Sequence, residues 1–159
     1  MQKTEITSTF ILYNSVDDLP AKEKELVLQS IGAQKHSYSP YSKFRVGAAL
    51  LLKSGKIIFG SNQENVAYPS GLCAERVALF SYGANETNDE IVAIAISATD
   101  EKNEFNEIIK PCGACLQVMA EYQMKQQEKI KVLLYSNEGK VLVCEGIDQL
   151  LPLQFSFRK

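Results

Sequence analysis

The sequence predicts an α/β fold, a three-layer α/β/α sandwich in which helices cover the faces of a five-stranded mixed sheet. Five short apolar runs are typical of strands, and three segments have the residue period of helices. The last two runs are joined by NEGK at residues 137–140, which is too short for a crossover helix, so they should pair antiparallel. The length of 159 residues fits one domain. We expect an N-terminal arm at residues 1–16 and a single domain at residues 17–159.

The first third of the chain predicts an arm, a helix and a buried strand. The apolar run FILY at residues 10–13 would form either an extra edge strand or an arm packed on the body. The segment DDLP at residues 17–20 is typical of a helix start, with an acidic cap and a proline in the first turn. Apolar residues near a 3.6-residue period then predict a helix over residues 20–37. Residues 46–52 are nearly continuously apolar, which predicts a strand buried on both faces.

The next segment predicts a hairpin partner and a second helix. Residues 57–59 follow a Ser-Gly-Lys turn, which favours a hairpin with the preceding strand. Residues 60–72 are rich in Asn, Ser, Gly and Pro and predict a loop. A helix should then begin near Cys73 and end at Gly83.

The last part of the chain supplies three more strands and one more helix. Residues 91–96 predict another strand buried on both faces, and a polar, acidic surface loop follows at residues 99–107. A helix should begin at Cys112, immediately after a proline. Residues 130–135 and 141–144 predict the final two strands.

Composition and charge limit the possible partners. The net charge is −2, and no run of Lys or Arg is present to neutralise a nucleic-acid backbone, so a polynucleotide partner is disfavoured. No apolar run is long enough to span a bilayer, and the N-terminus lacks the pattern of a signal peptide. Four cysteines without an export signal indicate reduced thiols and metal binding rather than disulfides. We therefore expect a cytoplasmic protein.

Three cysteines and one acid are spaced as a zinc-activated hydrolase requires. The segments CAER at residues 73–76 and PCGAC at residues 111–115 contain them. A catalytic zinc takes three protein ligands and leaves the fourth position for water. Glu75 lies two residues from the first thiol, so it would reach that water without being a ligand. The Cys-x-x-Cys element alone is a weak signal, whereas both elements in this order are a strong one.

The predicted helix starts give the arrangement a physical basis. Helix N-termini carry partial positive charge and free N–H groups, which lower thiol pKa values. Three thiolates overcompensate a divalent cation, so water there would be less acidic than at a histidine site. Arg76 is the best candidate to withdraw charge by hydrogen bonding to a ligand thiolate, although a surface ion pair is the alternative. Glu75 would carry a proton from water to the substrate, and burial would raise its pKa.

The two cysteine elements together resemble the known signature of zinc-dependent nucleobase deaminases. From about His36 to Phe155, the chain is similar to the homotetrameric type of cytidine deaminase. Residues 38–49 (YSPYSKFRVGAA) resemble the first motif of that family, residues 62–65 (NQEN) its sugar-binding motif, and residues 150–152 (LLP) its C-terminal motif. The resemblance implies a cytidine deaminase-like fold, one zinc per subunit and a homotetramer with shared active sites. It implies hydrolytic deamination of cytidine and deoxycytidine to uridine and deoxyuridine, a step of pyrimidine salvage.

The same resemblance assigns a role to each site residue. The implied zinc ligands and proton carrier are Cys73, Cys112, Cys115 and Glu75. The implied substrate contacts within a subunit are Phe44 at the base, Asn62 and Glu64 at the ribose 3′-hydroxyl, and the backbone N–H of Ala74 at the pyrimidine carbonyl. Those that neighbouring subunits would supply are Val66, Tyr68 and Phe155.

The chain departs from the family pattern in several places, of which two bear on the site. Leu153 and Gln154 stand where the family has a small residue and alanine, and the segment between the two cysteine groups is somewhat long. The zinc and Glu75 assignments are unaffected by these departures. The C-terminal contact and the choice of substrate depend on them.

Other interpretations of the same residues stay open. Cys144 would be a buried strand cysteine or the fourth ligand of a structural zinc in a non-catalytic interaction domain. A second enzymatic reading is deamination of another small aminated heterocycle such as the antibiotic blasticidin S, whose deaminases share the cysteine core. Asn62 and Glu64 favour a free ribose, although both are also ordinary loop residues. Phe44 alone is more typical of a core residue than of a platform on which a base stacks.

Overall fold

The computed structural model describes residues 1–86, 88–102 and 104–157, and these form one six-stranded mixed sheet flanked by three α-helices. In chain order, the strands are β1 (Ile11–Tyr13), β2 (Arg45–Leu52), β3 (Ile57–Ser61), β4 (Ile91–Thr99), β5 (Lys131–Tyr135) and β6 (Val141–Glu145). They lie side by side in the order β1-β6-β5-β4-β2-β3. Strands β4 and β5 are parallel, and the other neighbouring pairs are antiparallel.

The prediction of five strands is wrong, because the N-terminal arm contributes a sixth. Ile11 pairs with Val143 and Tyr13 with Val141, so β1 completes the ladder along the outer edge of β6. The apolar run at residues 10–13 did not by itself distinguish an edge strand from a packed arm. In the structure it forms an edge strand, since the open edge of β6 offers unpaired backbone groups with which another strand can pair. The predicted antiparallel pairing of β5 with β6 is confirmed.

The helices are α1 (Ala21–Ala33), α2 (Ala74–Asn85) and α3 (Gly113–Lys125). Helix α1 ends four residues earlier than predicted and continues as a 3₁₀ turn over Gln34–His36. Helix α2 does not end at Gly83, as predicted, but runs two residues further. At Gly83 a methyl group would lie 2.2 Å from the Tyr122 hydroxyl of α3. This glycine therefore allows two helices to approach closely and does not end one.

Strand alternation divides the core between the two faces of the sheet. On one face, Leu26 and Val27 of α1 pack against small residues of the central strands, including Ala49 and Ala95. On the other face, α2 and α3 pack against larger side chains such as Ile94. The helices thus occupy both faces of the sheet, and the α/β architecture is confirmed. No helix among the described residues is long and apolar enough to cross a membrane.

The strand order brings the starts of α2 and α3 to one edge of the sheet. Strands β3, β4 and β5 all run in the same direction, because β2 is antiparallel to both β3 and β4, and β4 is parallel to β5. Helix α2 connects β3 to β4, and helix α3 connects β4 to β5. Both helices therefore start at the carboxyl ends of these strands, the edge where α/β proteins commonly bind ligands.

Candidate active site

Three cysteine side chains meet where α2 and α3 begin. Cys73 and Cys112 are the N-cap residues of the two helices, and Cys115 lies in the first turn of α3. Their sulfur atoms all lie within 4.8 Å of one another, and those of Cys112 and Cys115 are 3.4 Å apart. A tetrahedral zinc with Zn–S bonds of about 2.3 Å needs sulfurs about 3.8 Å apart. The donor set and its spacing therefore fit one zinc ion.

The helix starts are free to stabilise negative charge at this cluster. The backbone at Cys73 and Cys112 is extended, and neither side chain caps its own helix by a hydrogen bond. The first-turn N–H groups of both helices thus lack intrahelical acceptors, and the positive ends of two helix dipoles converge on the sulfurs. All three thiols are free, not disulfide-bonded. Such an environment favours thiolates, which are the form that binds metal.

The pKa values of Cys73 and Cys115 are shifted in opposite directions. A hydrogen bond from the Cys115 thiol, reinforced by Arg76, lowers the pKa of Cys73 to about 5. The pKa of the Cys115 thiol is raised, because it donates to Cys73 and is buried. The Cys73 sulfur therefore lies between a thiol and a guanidinium, both of which favour its thiolate form.

Arg76 lies against the cluster and not in a surface ion pair. Its Nη2 donates to Cys73 Sγ across 3.8 Å, and this bond raises the pKa of the guanidinium above its ordinary value. Its Nε is buried and has no hydrogen-bond partner among the described residues. A cation at this position offsets the excess charge of three thiolates.

Glu75 is the buried acid of the cluster. It lies in the first turn of α2 and is 4% exposed. Burial raises the pKa of its carboxyl group above the ordinary value. The carboxylate is within hydrogen-bonding reach of the Cys115 thiol, so it faces the sulfurs and not bulk solvent.

Cys144, the fourth cysteine, lies elsewhere. It is buried in β6, and its Sγ approaches the carbonyl oxygen of Gly146 at 3.7 Å. Among the described residues, the group of potential metal ligands contains Cys73, Cys112 and Cys115 and does not include Cys144. The four-cysteine structural site thus has no geometric support.

A second group of predicted residues holds the loop before β2. The Asn62 side chain accepts from Val46 N at 2.8 Å and donates to the Phe44 carbonyl oxygen at 2.9 Å. The Glu64 carboxylate accepts from the Tyr41 and Ser42 N–H groups and from the Ser42 hydroxyl. The Ser42 hydroxyl is the main reason that the pKa of Glu64 is lowered. Both side chains therefore fix the segment that carries Phe44.

The comparisons with known proteins decide the family. Residues 20–129 match the model of the cytidine and deoxycytidylate deaminase zinc-binding region. The chain belongs to this family. It is 47% identical over 131 residues to a cytidine deaminase of Halalkalibacterium halodurans, covering 82% of this chain and 92% of that one. It is also 32% identical to the blasticidin-S deaminase of Bacillus cereus, covering 72% of this chain and 79% of that one.

Solved structures of the family have the same fold. The cytidine deaminase from Burkholderia pseudomallei superposes with a TM-score of 0.70 at 37% identity, over 82% of this chain and 97% of that one. The cytidine deaminase from Mycobacterium tuberculosis gives a TM-score of 0.63 at 27% identity, over 84% and 96% of the two chains. The match extends over almost the whole length of both neighbours.

Three of the predicted substrate contacts, those expected to serve neighbouring subunits, have exposed side chains. Val66, Tyr68 and Phe155 are 86%, 90% and 73% exposed. The Phe155 backbone is held at α3, since its carbonyl oxygen accepts from Gln117 Nε2 at 2.9 Å. Ala74, by contrast, is fully buried at the first position of α2, beside the cluster.

Phe105 is the residue near the site that sequence reasoning missed. It lies in the segment predicted to be a polar surface loop, yet its ring packs on that of Phe44 with centroids 5.0 Å apart. A lone aromatic in an otherwise acidic loop was the available signal. Its partner was not predictable, because the two residues are far apart in the sequence.

Proposed function

We propose that this chain is a zinc-dependent hydrolase that deaminates cytidine and deoxycytidine to uridine and deoxyuridine in pyrimidine salvage. The observation that carries the proposal is the buried Glu75 carboxyl group beside a cluster of three cysteine sulfurs. The 47% identity to a cytidine deaminase supports the same activity. We place the catalytic domain at residues 17–159 and the protein in the cytoplasm, where free thiols persist.

Different residues of the chain serve metal binding and proton transfer. Cys73, Cys112 and Cys115 would hold one zinc ion per subunit, and the ion when bound supplies the Lewis acidity that activates water at neutral pH. Glu75 takes a proton from the attacking water on its carboxylate and delivers it to the leaving amine. Its raised pKa suits a group that must both accept and release a proton near pH 7.

Arg76 supports the cluster without touching the substrate. By donating to Cys73 Sγ, it withdraws negative charge from a ligand sulfur. This compensation keeps the site acidic enough to activate water despite three thiolates.

The nucleoside would lie between the cluster and the loop before β2. We assign Phe44 to the base, the Ala74 N–H to the pyrimidine carbonyl, and Asn62 with Glu64 to the ribose 3′-hydroxyl. The exposed residues need partners, and we propose that Val66, Tyr68 and Phe155 complete the sites of neighbouring subunits in a homotetramer. Their exposure in a single chain supports this assignment.

Deamination of blasticidin S is the second candidate, favoured by the 32% identity to a blasticidin-S deaminase. The higher identity to cytidine deaminases and the presence of Asn62 and Glu64 favour the nucleosides. One assay separates the two candidates. Purified protein with quantified zinc is incubated with cytidine, deoxycytidine, adenosine and blasticidin S, and ultraviolet absorbance is followed.

The expected result is turnover of cytidine and deoxycytidine, and loss of about 10²- to 10⁴-fold in kcat for Glu75→Gln at unchanged zinc content. Fully zinc-loaded protein that ignores cytidine and consumes blasticidin S would support the second candidate instead. Inactivity towards every substrate at full zinc would favour a non-catalytic zinc-stabilised domain.

A further inference from the structure

We propose that Phe105 is a positioning residue of the base site, which holds the Phe44 ring in the orientation that receives a planar pyrimidine. The inference rests on the proposed function, in which Phe44 contacts the base. It concerns the connection between β4 and α3, a part of the chain that the mechanism otherwise does not use.

The ring contact has the geometry of a favourable aromatic pair. The planes of Phe44 and Phe105 are 89° apart and their centroids 5.0 Å apart. Edge-to-face pairs at 4.5–7 Å are preferred, because the positive edge of one ring meets the negative face of the other. Both side chains are partly buried. Rotation of the Phe44 ring would break this contact, so Phe105 restricts it.

Polar side chains fix the backbone of Phe44 on both sides. Its N–H donates to Ser42 Oγ at 3.0 Å, and its carbonyl oxygen accepts from Asn62 Nδ2 at 2.9 Å. These bonds place the Cα–Cβ bond but leave the side-chain torsions free. The contact with the Phe105 ring restricts these torsions.

The backbone of Phe105 is fixed in the same way from a different part of the fold. Its N–H donates to Asp100 Oδ1 at 3.3 Å, and its carbonyl oxygen accepts from Asn137 Nδ2 at 2.6 Å. Asn137 belongs to the turn between β5 and β6, so Phe105 is held independently of the loop that it supports. A ring anchored on one part of the fold thus packs against a ring anchored on another.

The same connection leads to a cysteine of the cluster. After Phe105, the half-buried Ile108 and Ile109 pack on the core, and the chain then enters α3 at Cys112. This connection therefore carries both the aromatic residue that packs on Phe44 and a cysteine of the cluster.

Steady-state kinetics with cytidine tests the proposal. An aromatic pair is worth about 2- to 12-fold in an equilibrium constant. Phe105→Leu keeps the apolar volume but removes the ring, so KM should rise about 3- to 10-fold while kcat stays within about twofold and zinc content is unchanged. Phe105→Tyr should restore the KM of the natural protein. Phe10→Leu, the same substitution at an exposed phenylalanine beside β1, is the matched control and should leave KM unchanged.

A coupled variant links the effect to Phe44. In a Phe44→Leu background, Phe105→Leu should change KM by less than about twofold, because the contact is already lost. The proposal is overturned if Phe105→Leu leaves KM unchanged, if the two substitutions act independently, or if kcat and zinc content fall together as in a general structural defect. Absence of cytidine turnover in the zinc-loaded natural protein would instead overturn the proposed function, and this inference with it.

Discussion

Gly60 in β3 and Ala74 at the start of α2 are in such close contact that a methyl group at position 60 would lie 2.2 Å from the Ala74 carbonyl oxygen. The same methyl group would lie 2.5 Å from Ala78 N, one turn further along the helix. Strand and helix therefore touch backbone to backbone. This contact sets the depth of the first turn of α2, which carries Glu75 and follows directly on Cys73.

Gly60→Ala should therefore damage the site at a distance. The first turn of α2 must move, and overpacking of this kind costs about 1–3 kcal/mol. We expect activity on cytidine to fall at least tenfold and zinc content to fall with it, measured by kinetics and metal analysis on the same sample.

Gly32→Ala is the matched control, since a methyl group at that exposed position of α1 would meet no described atom within 4 Å beyond its chain neighbours and the backbone of its own helix. Removing a glycine from a helix should raise the free energy of unfolding by about 0.5–1 kcal/mol, with zinc and activity unchanged. Equal zinc content in both variants would show that the close contact does not position α2.

Cysteine substitutions should distinguish the proposed zinc ligands from Cys144, the buried cysteine of β6, by their effect on zinc content. Cys112→Ser and Cys115→Ser each remove one sulfur from the cluster, so both should lose stoichiometric zinc and cytidine turnover. Cys144→Ser should keep one zinc per chain and the activity, because Cys144 contacts Gly146 and not the cluster. Loss of zinc in Cys144→Ser, measured by metal analysis, would contradict the three-sulfur site.

Arg76→Gln should keep the zinc ion but reduce turnover. It removes the cation that donates to Cys73 Sγ, and loss of such supporting contacts typically costs 10- to 100-fold in activity or metal affinity. Arg76→Lys keeps the charge without the planar guanidinium, so it should recover part of the loss. Cytidine kinetics at saturating zinc measures both; full activity in Arg76→Gln would refute the charge-compensating role.

Lys131 should stabilise the junction of α1 with the sheet. Its Nζ donates to Glu23 Oε1 at 2.6 Å and to Glu145 Oε1 at 3.0 Å in a half-buried position. Burial lowers the pKa of Lys131, but its hydrogen bonds to the two glutamates raise it more, and the net shift is upward. A raised lysine pKa means that the stabilisation is complete below its ordinary value near 10.5 and is lost as the pH rises beyond it.

Lys131→Met should thus lower the free energy of unfolding by about 1–2 kcal/mol at pH 7, measured by urea denaturation. The difference should shrink as the pH rises above 10.5 and through the raised pKa of Lys131, because the lysine then loses its charge in the folded state as well. Lys140→Met, which removes an exposed ion pair with Glu138, is the control and should cost less than about 0.5 kcal/mol. A pH-independent difference would assign the effect to lost apolar packing.

Local patterns were enough to predict most elements and to single out the three cysteines that cluster in the structure. The helix starts at Cys73 and Cys112 were predicted, and the structure has α2 and α3 begin at the next residue in each case. Such signals work because a helix start depends on a few neighbouring residues. The predicted end of α2 was wrong, because Gly83 makes room for Tyr122 of another helix and does not end its own helix.

The helix starts, the buried strands and the spacing of three thiols with one acid were predictable from the amino-acid sequence, because they depend on residue period and short separation. The folded chain was needed to show that β1 pairs with β6, that both helices start at one edge of the sheet, and that Phe105 packs on Phe44. These features depend on the strand order, which is settled by packing between distant segments. No local preference of the chain encodes which strand becomes the neighbour of another.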